Sequence, residues 1–338
     1  MSIAIPVIHS PAKFRPMREA NALLATKAEL WRQYETDGYL FFRDVLDMEA
    51  VCWLQDAFEG ELSKQGLIDR DDKDFVFTNV DLSKVRTHGG ALLPADELHV
   101  RETWKPFVSH PAINAFISNL IEDDPFWLPM NEYKAVPPEK PKETRFNFVH
   151  QDSFYNKGIR FMTLWVPVVP IAPDVGGIAC AEGMHRESYH NPNDPPAFFI
   201  PSGAIPEETW VRGDYRPGDA LIMHPALPHS GLTNQSDRFR LSINVRFAPA
   251  KDKPPIVGKL VSVTRDRIIV RGHDGRMGDY AIDDNTNFRN YGLGLIDRSQ
   301  VGDLYQPGDE LIVAMEHGTA TIIRRTSSGA YLKEMASR

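Results

Sequence analysis

The spacing of apolar residues changes period near Trp127, and this divides the first 250 residues into a helical part and a stranded part. Thr26-Lys27-Ala28-Glu29 has the form of a capping box, so a helix is expected from there to Gly38, a residue suited to the left-handed closing position. Tyr39–Phe42 reads as a short apolar strand. Asp47 is placed to cap a second helix whose Val51, Leu54, Phe58 and Leu62 fall on one face. A further amphipathic helix follows Pro111, with Ile113, Phe116, Ile117 and Leu120 in its stripe. Residues 1–24, carrying Pro6, Pro11 and Pro16, read as an irregular arm. The stretch 69–102, with mixed charges and Gly89-Gly90, reads as a long surface loop of a kind that also covers active sites.

From Trp127 the pattern becomes short strands separated by Gly, Pro and Asn clusters. The clearest are Met130–Ala135, Phe146–Asp152, Arg160–Val169, Gly177–Ala181, Asp219–His224 and Arg240–Phe247. This rhythm predicts a mainly β protein, a double-sheet jelly roll with the early helices packed outside it. Lys251-Asp252-Lys253-Pro254-Pro255 then reads as a linker. Beyond it, Gly258–Val263, Arg267–Arg271, Asp279–Ile282, Glu310–Met315 and Thr319–Arg325 alternate like strands of a small β-barrel, with turns at His273-Asp274-Gly275 and Gln306-Pro307-Gly308-Asp309. Two domains are therefore expected, 1–250 and 256–338. The second would serve dimer contact, and hence a homo-oligomer, or wall one side of a site. An oligonucleotide-binding module fits it less well, because its charge is near balance and its aromatics are few.

The chemistry lies in His150-Gln151-Asp152, answered by His229 and Arg240. On an extended segment residues two apart share a face, so His150 and Asp152 can hold adjacent positions on one metal ion. A third ligand from a distant strand, His229, completes a two-His, one-carboxylate facial triad, which leaves about three sites of an octahedral Fe(II) open. Those suit a bidentate 2-oxo acid and O2. Arg240 stands eleven residues after His229 (240 − 229), far enough to reach the next strand. A fixed cation there can pair bidentately with the far carboxylate of the 2-oxo acid, and Ser242, two further on, can add a hydroxyl. His224 competes for the third ligand position, but an arginine eleven residues later would stand at 235, which is Gln235. His229 is therefore preferred, and His224 reads as a supporting histidine. His185 and His190 read as solvent-facing or substrate-side.

Singly, each of these residues has an ordinary structural reading; their order is what points to a site. That order resembles the phytanoyl-CoA dioxygenase family of Fe(II)/2-oxoglutarate oxygenases over roughly residues 30–250. The resemblance runs through His150-Gln151-Asp152, Leu164-Trp165-Val166-Pro167-Val168, Gly176-Gly177, Gly183-Met184-His185-Arg186, Pro217-Gly218-Asp219 and the block His229–Arg240. It implies His150, Asp152 and His229 as iron ligands and Arg240 as the partner of 2-oxoglutarate, with Met130 and Trp165 against that co-substrate. One departure is Glu182-Gly183-Met184-His185, where the family usually reads Pro-Gly-Ser-His. Related halogenases replace the carboxylate with Gly or Ala to admit chloride, so Asp152 favours hydroxylation. The implied reaction oxidises an unactivated C–H bond of a small molecule and releases succinate and CO2.

Composition narrows the partners. A net charge of −8 argues against nucleic acid, whose phosphates reward a basic face. No apolar run approaches the roughly 18–20 residues that span a bilayer, and the N-terminus lacks the pattern of a signal peptide. Only Cys52 and Cys180 are present, which fits a reducing cytoplasm. The aromatics Phe146, Phe148, Phe154, Tyr155 and Trp165 suggest a partly apolar pocket. Two rival readings stay open at this point. One is a non-catalytic scaffold that kept the fold; the other is a cupin-type metalloenzyme that does not use 2-oxoglutarate.

Overall fold

The computed structural model describes residues 8–336 except 83–86, 89–90, 93, 140–141, 190–199, 202, 253 and 290–296. Its first sheet has five strands in the order Tyr39–Phe42, Ala220–Met223, Met162–Pro167, Arg240–Pro249 and Pro125–Val136. Facing it, His229–Gly231, Ile178–Ala181, Trp210–Arg212 and Arg15–Pro16 form a second sheet. The Arg145–Phe146 strand continues that sheet through bridges from Phe146 to Leu232 and from His150 to His229. This is the jelly roll that the alternation predicted.

Alternation along the central Arg240–Pro249 strand divides its side chains between two environments. Leu241, Ile243, Val245 and Phe247 are fully buried in the main core with Leu54, Phe58, Ile113 and Ile117 of the outer helices. Arg240, Ser242, Asn244 and Arg246 point the other way, into the space between the sheets. Each of those apolar side chains contributes about 1.5–3 kcal/mol by leaving water, so the strand cannot slip by one residue without exposing the set. Beside Arg246 the register shifts: Asn244 pairs with Glu132 but Arg246 with Leu128. The intervening bulge holds Pro129, which has no N–H for a ladder, and Met130.

Helix ends agree with sequence expectation in two places and depart from it in one. Gly38 closes the Lys27–Asp37 helix at φ 81°, and the Asp47 side chain accepts from the N–H groups of Glu49 and Ala50. The capping box does not form, because Thr26 turns its hydroxyl to the Leu23 carbonyl instead. Within the expected loop 69–102, Phe75 and Phe77 are buried and Phe77 meets Phe239 edge-on, while Pro94–Val100 is helical. Part of that stretch lies outside the described residues. His190 does too.

The C-terminal strands close into a ring. Ile256–Val263, Arg267–Gly272 and Met277–Ala281 pair in turn, Glu310–Glu316 and Thr319–Arg325 follow on the other side, and Ala281 meets Thr319 to shut the barrel. Asn287–Arg289 pairs with Thr319–Arg325 along the same edge as Ala281, with Phe288 in the barrel core, and Ser327–Ala336 is a helix; neither was expected from the sequence. Leu311 and Val313 fill the barrel, whereas Ile312 and Ala314 turn outward into a second cluster with Leu128, Met130, Ile159, Phe161 and Ile322. A strand apolar on both faces is buried on both. Across this seam Ser327 Oγ accepts from the Asn131 N–H at 2.9 Å and donates to the Asn131 carbonyl at 3.1 Å.

Candidate active site

His150 and His229 are brought together by the second sheet. The two residues exchange backbone hydrogen bonds of 3.1 and 3.0 Å, and their ring centroids lie 4.3 Å apart. His229 pairs with Cys180, whose side chain also faces inward, while its neighbour Ala179 packs outward. Within the His229 ring, Nδ1 lies 2.9 Å from the Leu227 carbonyl; donation there leaves Nε2 unprotonated and free to ligate. Burial and the neighbouring His150 lower the His229 pKa to about 4, so the ring is neutral at physiological pH.

Asp152 reaches the same point by a different route from the one the sequence suggested. Strand pairing covers only Arg145–Phe146, His150 forms an isolated bridge, and Asp152 opens a short helix, Asp152–Tyr155. The helical turn, not strand alternation, swings the carboxylate to 3.5 Å from His150 Nε2. The outcome is the expected one: single ligand atoms of His150, Asp152 and His229 all lie within 4.8 Å of one another.

Two residues that the motif did not reveal hold Asp152. Arg246 Nη2 pairs with Asp152 Oδ2 at 3.0 Å and Thr163 donates to the same oxygen at 3.1 Å. Burial alone would raise the carboxyl pKa; Arg246, His150 and His229 outweigh it and keep the group well below the usual range, ionised. Arg246 is itself anchored by donating to the Met130 carbonyl. The polar-apolar alternation of the Arg240–Phe247 strand did place Arg246 on the face of Arg240. Its partner could not be read from that alternation.

Arg240 lies at the other end of this face. It is only 5 % exposed, and one nitrogen donates to the carbonyls of Gly177 at 2.9 Å and Leu232 at 2.5 Å. No carboxylate pairs with it among the described residues, and burial lowers its pKa to about 10. A buried cation with neutral partners alone is poorly compensated, so the position suits an anion. Gly231 keeps the approach open: a Cβ there would stand 3.1 Å from Arg240 Nη2 and 3.0 Å from Asn147 Nδ2. Gly177, at φ 87°, adopts a conformation that L side chains resist, and its carbonyl accepts from Arg240.

The other expected site residues divide. Ser242 is buried, opposite Lys134 and Pro167, on the face of Arg240. Trp165 pairs with Asn244 on that face but packs edge-on against Tyr215 within the main core, with centroids 4.6 Å apart. Met130 departs from expectation. Its side chain packs in the seam cluster with Leu128, Phe161 and the barrel's Ile312, while its carbonyl accepts from Arg246. His224 stacks with His185 and Tyr34 and its Nδ1 accepts the Ala226 N–H, so it supports the fold and is not part of the cluster of His150, Asp152 and His229. His185 is buried in that stack and not solvent-facing.

The family model of phytanoyl-CoA dioxygenase (PhyH) matches residues 34–242, more than half of the chain. The chain belongs to the phytanoyl-CoA dioxygenase family. It is an Fe(II)/2-oxoglutarate-dependent dioxygenase, and the donor set of two imidazoles and one ionised carboxylate fits iron. The match ends before the barrel. Similar proteins include 1-deoxypentalenic acid 11-beta-hydroxylases of Streptomyces arenae, 28 % identical over 70 % of this chain and 86 % of the relative, and of Streptomyces exfoliatus, 25 % identical over 69 % and 84 %. Among solved structures, the epimerase SnoN in complex with Fe3+, alpha ketoglutarate and nogalamycin RO is 23 % identical, with a TM-score of 0.47 over 67 % of this chain and 84 % of that one.

Proposed function

We propose that His150, Asp152 and His229 bind Fe(II), that Arg240 with Ser242 receives the far carboxylate of 2-oxoglutarate, and that the enzyme hydroxylates an unactivated C–H bond of a small metabolite. The observation that carries this reading is the pairing of a converged triad with a buried arginine that lacks a carboxylate partner among the described residues. A scaffold has no physical need for either. A cupin-type enzyme without a 2-oxo acid would leave Arg240 buried for nothing. Bound iron supplies the redox chemistry that couples O2 and 2-oxoglutarate to oxidation of the substrate, with succinate and CO2 as products.

The chain's own residues do the rest. Arg246 and Thr163 hold the Asp152 carboxylate ionised and aimed, and the Leu227 carbonyl fixes the His229 tautomer. Burial of Arg240 excludes water from its ion pair with the co-substrate, which strengthens the pair. Because Asp152 fills the carboxylate position, no vacancy is left for halide, which favours hydroxylation. Phe148 lies against His150, with centroids 4.4 Å apart, and Tyr155 lies beyond it at 5.8 Å, so the substrate side is partly apolar. The hydroxylases it resembles act on 1-deoxypentalenic acid, which supports a secondary metabolite as substrate class.

No described helix is long and apolar enough to cross a membrane, and both cysteines are free, so we place the enzyme in the reducing cytoplasm. The barrel, 256–338, is proposed as a second folded unit whose outer Met277 and Met315 offer a surface for self-association. Substrate-dependent succinate release from 2-oxoglutarate, measured with added Fe(II) against a panel of small carboxylic acids and terpenoid-like compounds, tests the function. Absence of Fe(II)-dependent 2-oxoglutarate binding would refute it.

A further inference from the structure

The barrel lies outside the family match, yet it reaches the iron site. Arg289 and Arg324 project from Asn287–Arg289 and Thr319–Arg325 out of the barrel and are 5 % and 8 % exposed. Arg289 donates to the Tyr155 carbonyl at the end of the short helix that Asp152 opens, and its guanidinium lies 4.8 Å from the centre of the Tyr155 ring. Arg324 donates to Asn156 Oδ1, and Asn156 Nδ2 in turn donates to the Asp152 carbonyl at 3.0 Å. The following turn is locked as well: a Cβ at Gly158 would stand 2.4 Å from Thr321 Oγ1, and Ile159 and Phe161 enter the seam cluster.

We infer that Arg324, acting through Asn156, and Arg289, acting through Tyr155, are positioning residues for Asp152, so that the barrel completes the metal site of the jelly roll. This rests on the reading of Asp152 as an iron ligand. The physical need is plain. A helix of four residues has too few internal hydrogen bonds to hold its own geometry, so its direction must come from outside. Its first residue is fixed by Arg246 from the jelly roll and its far end by the two barrel arginines. Placing two guanidiniums in a buried seam is costly, and burial, with the mutual repulsion of the arginines, lowers the pKa of Arg324 to about 9. Apolar residues would close the seam at lower cost; they could not grip a carbonyl and an amide oxygen.

Cobalt(II) binding to the full-length protein, followed by its visible absorption, reads both affinity and ligand geometry. Arg324→Gln and Asn156→Ala are each expected to weaken Co(II) binding about tenfold or more and to alter the spectrum, as loss of outer-shell support does at metal sites. The double variant should be no worse than the stronger single one, because the two act in one chain. Arg324→Lys, which keeps the charge and loses the fork, should recover only part of the affinity. His229→Ala separates the two readings. Normal Co(II) binding by His229→Ala would refute the triad itself. Loss in His229→Ala together with an unchanged spectrum and affinity in folded Arg324→Gln and Asn156→Ala would overturn the positioning role alone, as would fully additive losses in the double variant. Should Arg324→Gln fail to fold, Asn156→Ala, on the jelly-roll side, decides by itself.

Discussion

Arg240 and Arg246 stand on one face of one strand, six positions apart (246 − 240), and both are almost fully buried. Their circumstances are opposite. Arg246 is paired with Asp152 and tied to the Met130 carbonyl, whereas among the described residues Arg240 donates to the carbonyls of Gly177 and Leu232 and pairs with no carboxylate. Burying an ion costs several kcal/mol, and a partner of opposite charge is what offsets it. One arginine is therefore complete within the protein, and the other is the one proposed to be completed by the co-substrate. In the proposed function, the same residue type serves the metal ligand at one end of the strand and the oxo acid at the other.

The largest effect tests the centre of this arrangement. Asp152→Ala and His229→Ala should each abolish Fe(II) binding and turnover; Asp152→Ala also leaves Arg246 buried without its carboxylate. Equilibrium dialysis with ferrous iron, and succinate formation, are the measurements.

Next comes the contrast itself. Arg246→Met strands the Asp152 carboxylate and should cost about 3–5 kcal/mol of stability. Arg240→Met removes a poorly compensated cation, while two carbonyls lose a donor. These offset each other, and a loss of about 0–2 kcal/mol is expected. Urea unfolding of the two variants without ligand measures the difference, and equal losses would erase the distinction.

Adding 2-oxoglutarate with metal should reverse the ranking of what matters. Wild-type protein at a hundredfold excess over Kd gains about 2.7 kcal/mol. Arg240→Met should gain far less and should raise the 2-oxoglutarate requirement by more than tenfold, with Fe(II) affinity spared. A titration indistinguishable from wild type would remove Arg240 from the binding of the oxo acid.

Two smaller effects sharpen the boundary. Gly231→Ala puts a Cβ against the ends of two side chains that can yield, so a few-fold rise in the 2-oxoglutarate requirement is expected, without loss of fold. His224→Ala should change metal affinity by less than about threefold, since its ring touches His185 and Tyr34. If His224→Ala lost iron as completely as His229→Ala, the assignment of the third ligand would be wrong.

Much of this candidate site was legible because its residues follow a fixed order along the chain. His150, Asp152 and His229 come together as the motif implied, although Asp152 arrives on a helical turn, and Arg240 and Ser242 share one face of a strand. The seam position of the Met130 side chain was not legible, because the residues that cover it, Ile312, Ala314 and Ile322, come from the barrel, far along the chain. Arg246 and Thr163 were visible as polar residues in strands but carried no mark of what they hold. Arg289, Arg324 and Asn156 carried less still, because an arginine in a strand is ordinarily a surface cation.

The sequence by itself determined the jelly roll, the outer helices, the small barrel and the cluster of His150, Asp152 and His229 that is proposed to bind metal. These depend on periodicity, turn residues and order, which are properties of neighbouring positions. Tertiary structure alone decided which charges are neutralised. Asp152 and Arg246 are 94 residues apart along the chain, and Asn156 and Arg324 are 168 apart. Burial turns each of these into a requirement for a partner, and no local pattern records how far along the chain that partner lies. The barrel is the clearest case. Five of its six strands were readable one by one, but its attachment to the turn after Asp152 depends on two apolar faces and two buried arginines meeting across a seam that exists only in the folded chain.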